Sequence, residues 1–423
     1  MDASSPDVGG PAEGRWRFVI LIRLRSTLLK ALLFLSAILL LPCAALAAPK
    51  YKVLYSFSGP DGAGPQGRLT LDSVGNLYGA TSGSSNSDGV VFELNPTSHG
   101  IWTYTMLHSF QYKTDGGSPS GGMAIDAAGN LYGTTAYGGT DDAGTVFELS
   151  PQANNWTFAA LLQFGSKMDG LVLDAEGNLY GSLGAAAREV IHGPKGWRPK
   201  VLYSFCRQKN CQDGDGPPSW LTWDAAGNLY GTTETGGKGV GGDYGTAFEL
   251  EHMPDGSWKH RLLHSFPAFP GDGLYADSGL LVDLSGNLYG TTALGGSHCG
   301  KGTNCGLVFE LSPKTGGGWK ETILHEFSVI KMGHSPGGPQ VFDQAGNLYG
   351  IAAGGTGQCT CGVVYKLTPG AKDKWTYSIV YTFNGYDGAS PAGGLIVDGK
   401  GRLYGTTFAG GPGGGGVVYR ITP

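Results

Sequence analysis

After position 48 the apolar residues fall in short runs, each bounded by Gly, Pro, Asn or Asp, and never in a long stripe at helical spacing. Short runs rich in β-formers with such boundaries predict strands. Residues 120–164 show the arrangement most clearly. They divide into strand A at 120–126, B at 130–135, C at 144–150 and D at 156–164.

The four-strand unit recurs. GNLYG stands at 75–79, 129–133, 177–181, 227–231, 286–290 and 346–350, and a seventh copy reads Gly401-Arg402-Leu403-Tyr404-Gly405. Successive copies start 54, 48, 50, 59, 60 and 55 residues apart. A period near fifty marks a propeller or a similar array. Seven copies predict an all-β, seven-bladed β-propeller with four strands per blade. Its A strands are expected near 66–72, 120–126, 169–174, 219–224, 278–283, 338–343 and 393–398. Each sheet in such a ring buries its faces against its neighbours, so residues 48–423 need no second domain.

Each A–B turn reads Asp-x-x-Gly, from Asp72–Gly75 to Asp398–Gly401. A type I turn favours Asp first and Gly fourth, and a left-handed glycine lets it close a hairpin. These seven aspartates are therefore turn residues. The Tyr of each GNLYG belongs to strand B and is expected between blades. The glycine after it leaves room for a neighbouring strand or ring. In strand D, Trp102, Trp156, Trp197, Trp258, Trp319 and Trp375 each precede a Phe by eight residues, and the even interval predicts one shared face. His108, His264 and His325 lie between them, where other repeats carry Tyr or Gln. That interchange points to wall residues rather than catalytic bases.

The chain after position 50 begins with a D-type strand and ends with a C-type strand. Residues 51–57 are expected to pair with 416–422 and close the ring, hiding two open sheet edges. Blade three departs from the pattern, because Arg188-Glu189-Val190-Ile191 replaces Val-Phe-Glu-Leu.

Composition adds compartment and partners. Arg15, Arg17, Arg23, Arg25 and Lys30 precede an apolar run from Ala31 to Leu41, and Ala45-Leu46-Ala47 offers a small-x-small cleavage site. This order reads as a signal peptide over 1–47 and predicts a periplasmic, cell-surface or secreted protein. Removing those residues leaves 24 basic against 31 acidic side chains. That balance excludes nucleic acid as a partner, since phosphate needs a basic face. No membrane span is expected after removal of the leader, and a monomer is expected. Six cysteines remain in three close pairs: Cys206 with Cys211, Cys299 with Cys305, Cys359 with Cys361. An even count in an exported chain reads as disulfides. Local pairing is the simplest choice. Cys359 and Cys361 could instead reach Cys299 or Cys305. A zinc reading of His298, Cys299 and Cys305 matches no zinc-binding spacing.

The run GNLYGTT…GG…GTVFELSP at 129–151 resembles the GloVer tandem repeat of exported bacterial proteins, and the likeness extends over about 51–423. The resemblance implies a propeller and implies no activity. Gly138-Gly139, Phe147 and Trp156 are similar in order to kelch-type blades. That likeness bears on architecture alone.

Candidate chemistry lies on one face. The B–C and D–A loops share it in a blade that runs from inner to outer strand. The D–A loops carry Asp-Gly eleven residues before the turn Asp, at Asp61, Asp115, Asp213, Asp272 and Asp387, with Asp169 in a shortened blade-three loop and Met332 in blade six. Asp-Gly serves turns in its own right. As a ring around the channel mouth, these carboxylates would suit a sugar or Ca²⁺. Tyr137, Phe269, Tyr275, Tyr386 and Phe408 lie in the same loops and could stack on a ligand. No Gly-x-Ser-x-Gly elbow, P-loop or His-Glu-x-x-His occurs, and the unique loop residues His298, Lys301 and His334 form no triad. The expected function is an exported binding or scaffold module for extracellular glycan or another cell-envelope component, with no cofactor. The alternative is a propeller hydrolase or lyase acting on polysaccharide.

Overall fold

The computed structural model describes residues 48–423 except 84–87, 120, 140–141, 143, 154, 164–167, 217–219, 239–243, 268–270, 277, 298–304, 329–332, 355–359 and 372–373. The expected leader lies outside the described residues, as do Phe269, His298, Cys299, Lys301, Met332 and Cys359.

Each repeat forms one antiparallel sheet, with strands A to D in order. Blade 1 comprises Thr70–Leu71, Leu77–Thr81, Val90–Pro96 and Trp102–Ser109. Blade 2 comprises Ala124–Ile125, Leu131–Tyr137, Thr145–Gln152 and Asn155–Gln163. Blade 3 comprises Met168–Leu173, Leu179–Leu183, Ala186–Gly193 and Gly196–Ser204. Blade 4 comprises Thr222–Trp223, Leu229–Thr233, Thr246–His252 and Trp258–Ser265. Blade 5 comprises Leu281–Val282, Leu288–Thr292, Leu307–Pro313 and Trp319–Glu326. Blade 6 comprises His334–Phe342, Leu348–Gly354, Val363–Pro369 and Trp375–Thr382. Blade 7 takes its first three strands from Ala389–Val397, Leu403–Ala409 and Val417–Thr422, and its fourth from Lys50–Ser56. Lys50 pairs with Thr422 and Val53 with Tyr419, so the N-terminal strand zips the ring shut. An edge strand left open there would be a template for aggregation.

The core lies between blades. Tyr78 of blade 1 packs with Leu131 and Phe147 of blade 2, and Tyr404 of blade 7 meets Trp102 of blade 1 edge-on at 6.2 Å. In all seven A–B turns the glycine has positive φ and donates its N–H to the Asp carbonyl, as in Gly346 to Asp343 at 3.0 Å. The Asp side chain caps the same turn. Asp343 accepts from the N–H groups of Ala345 and Asn347, the Asn347 amide and the Tyr349 hydroxyl. Asn and Tyr of GNLYG thus serve the turn as well as the sheet.

The last glycine of the motif has a different task. Gly79, Gly133, Gly231, Gly290, Gly350 and Gly405 face Phe92, Phe147, Phe248, Phe309, Tyr365 and Tyr419 across strands B and C. Each ring lies over its glycine, where a Cβ would collide with it. In blade 3 the partner of Gly181 is Arg188, so Ala187-Arg188-Glu189-Val190, one residue earlier than the sequence suggested, takes the place of Val-Phe-Glu-Leu, with Arg188 where the ring stands in other blades.

The even Trp–Phe interval misleads about faces. Trp102 packs toward blade 7, whereas Phe110 packs on Phe147 of blade 2 at 5.2 Å. The cause is a bulge. Val91 pairs with His108 and Phe92 with Met106, so Leu107 is an extra residue. A single extra residue reverses the alternation of a strand. Every D strand has such a residue, at Leu54, Leu107, Leu161, Leu202, Leu263, Leu324 and Val380. One strand therefore serves two interfaces: its Trp faces the preceding blade and its Phe the following one.

Candidate functional site

The D–A and B–C loops do share a face, and hydrogen bonds tie them together. Where the chain passes from strand D into strand A, Ser118, Tyr275, Ser335 and Ser390 have positive φ. Their N–H groups donate to the carbonyls of Asp88, Tyr244, Cys305 and Cys361 in the preceding B–C loops, at 2.7 to 3.0 Å.

Each of the five D–A aspartates anchors its own loop to the preceding D strand. Asp61 accepts from the Tyr55 hydroxyl at 2.5 Å and from the Ser58 N–H at 2.8 Å. Asp115 contacts His108 Nε2 at 2.8 Å and accepts from the Gln111 N–H at 2.6 Å. Asp213 is fully buried and accepts from Tyr203 and from the N–H groups of Arg207 and Gln208. Asp387 accepts from the Tyr381 hydroxyl and the Asn384 N–H, and Asp272 meets His264 and the Gly273 N–H. For Asp61 and Asp213 burial opposes ionisation, but the tyrosine and backbone donors outweigh it and hold both carboxyls below the usual range. None of the five lines the central cavity, because their partners belong to outermost strands.

Aromatic rings repeat the same junction. Tyr55 stacks on Tyr104, His108 on Phe158, Tyr203 on His260, His325 on Tyr377 and Tyr381 on Tyr51, with centroids 4.0 to 4.3 Å apart. The wall histidines His108 and His325 are thus parts of stacks between blades.

The loop tips carry the exposed rings. Tyr137 is 53% and Tyr386 88% exposed, while Tyr275 is half-buried against Tyr244. Tyr112, Tyr137 and Phe408 line a pocket of about 420 Å³ with Gln66, Ser82, Asp88 and Ser118. Asp88 holds the Tyr112 N–H at 2.9 Å. Sequence reasoning passed over Tyr112 and Asp88, since neither residue type recurs at the matching place in the other repeats. Their lack of a counterpart was the available signal.

A second space, about 470 Å³, lies on the ring axis among the A strands. Four residues before the turn Asp, blades 2, 3, 5 and 7 have Gly122, Gly170, Gly279 and Gly394, but blades 1 and 4 have Arg68 and Trp220. The Trp220 indole fills the room left by Gly122, where a Cβ would sit 2.5 Å from Cη2. Arg68 Nε donates to the Leu395 carbonyl at 3.3 Å, and burial lowers its guanidinium to about 10. Both side chains line this space, and the sequence reading did not single them out.

Cys206 and Cys211 form a disulfide. Cys305 and Cys361 are each in a disulfide too, so Cys305 offers zinc no free thiolate. Among the described residues no helix is long and apolar enough to cross a membrane.

No curated protein matches this sequence. Solved structures do. A streptogramin B lyase is 11% identical at a TM-score of 0.54, covering 88% of this chain and 97% of its own. A catalytically inactive virginiamycin B lyase from Staphylococcus aureus with quinupristin is 12% identical at 0.55, covering 89% of this chain and 99% of its own. An ancestral GH74 enzyme is 11% identical at 0.55, covering 85% of this chain and 48% of its own. At such identities the likeness shows the fold alone. The Gloeobacter/Verrucomicrobia repeat matches residues 44–189 and 297–423, more than half of the sequence. With seven GNLYG-type blades in one closed ring, this chain belongs to the Gloeobacter/Verrucomicrobia repeat family.

Proposed function

We propose that this protein is an exported binding propeller that holds extracellular or cell-envelope carbohydrate on its D–A and B–C loop face. One observation supports it most. Among the described residues, the large apolar side chains left exposed include four aromatic ones, Tyr112, Tyr137, Tyr386 and Phe408, and all four stand on this face. The exposed aliphatic ones lie elsewhere, such as Val74 and Leu284 in A–B turns. Rings gathered on one surface mark a binding patch. Three of them share a pocket with Gln66, Ser82 and Asp88, whose oxygens and amide suit sugar hydroxyls. Its volume falls in the range of ligand sites, about 300–1,000 Å³. Asp115 and Asp387 fix the loops that present Tyr112 and Tyr386. Export is supported by the disulfides, which persist in oxidising compartments.

A glycan array on the purified protein tests the reading, with reducing-sugar release measured beside it. Retention without release is expected, weakened at least tenfold by Tyr137→Ala or Phe408→Ala. Retention unaffected by both substitutions would refute the assignment of this face, and sugar release would make the protein an enzyme.

A further inference from the structure

The ring-on-ring stack between outer strands is replaced by charged side chains at the junction of blades 4 and 5. The residue two places after the strand-D Trp is Tyr104, Phe158, Pro199, His260 and Tyr377 in other blades, and Tyr51 in the closing strand. In blade 5 it is Glu321. Its carboxylate meets His264 of blade 4 and Asp272 of the intervening loop, and one ligand atom from each lies within 4.8 Å of the other two. All three side chains are largely buried, at 15 to 21% exposure.

The distances separate this trio from an ordinary ion pair. In blade 1 the equivalent His108 Nε2 lies 2.8 Å from Asp115, a hydrogen bond. Here His264 Nε2 lies 3.3 Å from Asp272 Oδ2 and 3.5 Å from Glu321 Oε2. Both are long for a charge-assisted bond. They match the edges of a coordination tetrahedron: ligands about 2.0–2.1 Å from a Zn²⁺ ion lie about 3.3–3.4 Å apart. Two carboxylates brought together in a crevice also repel each other unless a cation or a proton lies between them. Glu321 Oε1 is buried without a hydrogen-bond partner among the described residues. Asp272 Oδ1 is held from behind by the Gly273 N–H at 2.6 Å, which orients its Oδ2 toward His264.

We infer that His264 Nε2, Asp272 Oδ2 and Glu321 Oε2 bind one divalent transition-metal ion of the Zn²⁺ class. One imidazole and two carboxylates suit such an ion better than Ca²⁺, which takes six to eight oxygen ligands. Three protein ligands leave a fourth position for water or a ligand oxygen. The ion would hold blades 4 and 5 together where five of the other junctions use stacked rings.

The test is titration of the metal-stripped protein with Zn²⁺ against a chromophoric chelator, and with Co²⁺ read by its visible absorption. The expected result is one equivalent bound with a tetrahedral Co²⁺ spectrum. Glu321→Gln should weaken Zn²⁺ at least tenfold. Glu321→Tyr restores the ring found at Tyr104 and Tyr377, so it should fold with wild-type circular dichroism and lose the site. Wild-type protein that takes up no stoichiometric Zn²⁺, or a folded Glu321→Tyr protein that binds as tightly as wild type, overturns the inference.

Discussion

Replacing Gly290 by Ala tests why GNLYG ends in glycine. The residue faces Phe309 across strands B and C of blade 5. A Cβ would sit 2.5 Å from Phe309 Cζ and 3.0 Å from both Phe309 Cε1 and Leu280 Cδ2. Carbon atoms in comfortable contact lie about 3.5–4.0 Å apart, so the ring must shift by about 1 Å. It has nowhere to go. Phe309 is fully buried between blades 4 and 5, against Tyr230, Phe266, Leu288 and Leu311. Overpacking of this kind costs about 1–3 kcal/mol. Loss of glycine freedom in the unfolded chain offsets about 0.4–1 kcal/mol. The expected net loss is about 1–2 kcal/mol, read as a lower urea midpoint at unchanged slope. Gly399→Ala is the control, because nothing lies within 4 Å of its Cβ and its φ is ordinary. It should be neutral or slightly stabilising. Gly290→Ala with Phe309→Leu should be less harmful than the sum of the two changes by at least about 0.5 kcal/mol, since they share one space. If Gly290→Ala matches Gly399→Ala, the ring-over-glycine account is wrong.

Other consequences follow from the same contacts. Burial lowers His260 and His325 to about 4, against the opposing charges of Asp213 and Glu326. Unfolded histidines take up protons below about pH 6.5, whereas these two stay neutral to about 4, so their contribution is intact above 6.5 and lost as pH falls toward 4. His325→Phe, which keeps the stack on Tyr377, should flatten the fall of the urea midpoint between pH 7 and 5; an unchanged profile counts against it. Asp343→Ala strands the N–H groups of Ala345 and Asn347, the Asn347 amide and the Tyr349 hydroxyl, and should cost about 1–3 kcal/mol in denaturant unfolding. Removing residues up to Ser56 bares the edge of Val417–Thr422 and should give oligomers on size-exclusion chromatography. A monomer with a wild-type thermal transition would show that closure matters little.

Sequence alone determined the blade number, the closing strand, the turn role of the seven aspartates and the need for glycine after six of the seven repeat tyrosines. These rest on local chemistry repeated seven times, and repetition turns a weak local signal into a firm one. Only the tertiary structure decided three other matters. The Trp–Phe faces came out opposite because a bulge at Leu107 and its equivalents is invisible in residue spacing. The D–A aspartates stand against the outer D strands because Tyr55, His108, Tyr203, His264 and Tyr381 draw them there, and pairing between strand and loop is not written in a period. The pocket of Tyr112, Tyr137 and Phe408 and the trio of His264, Asp272 and Glu321 join residues from different blades. Ring closure and the interlocking of neighbouring sheets set those meetings, and a linear repeat carries no record of which side chains end up face to face.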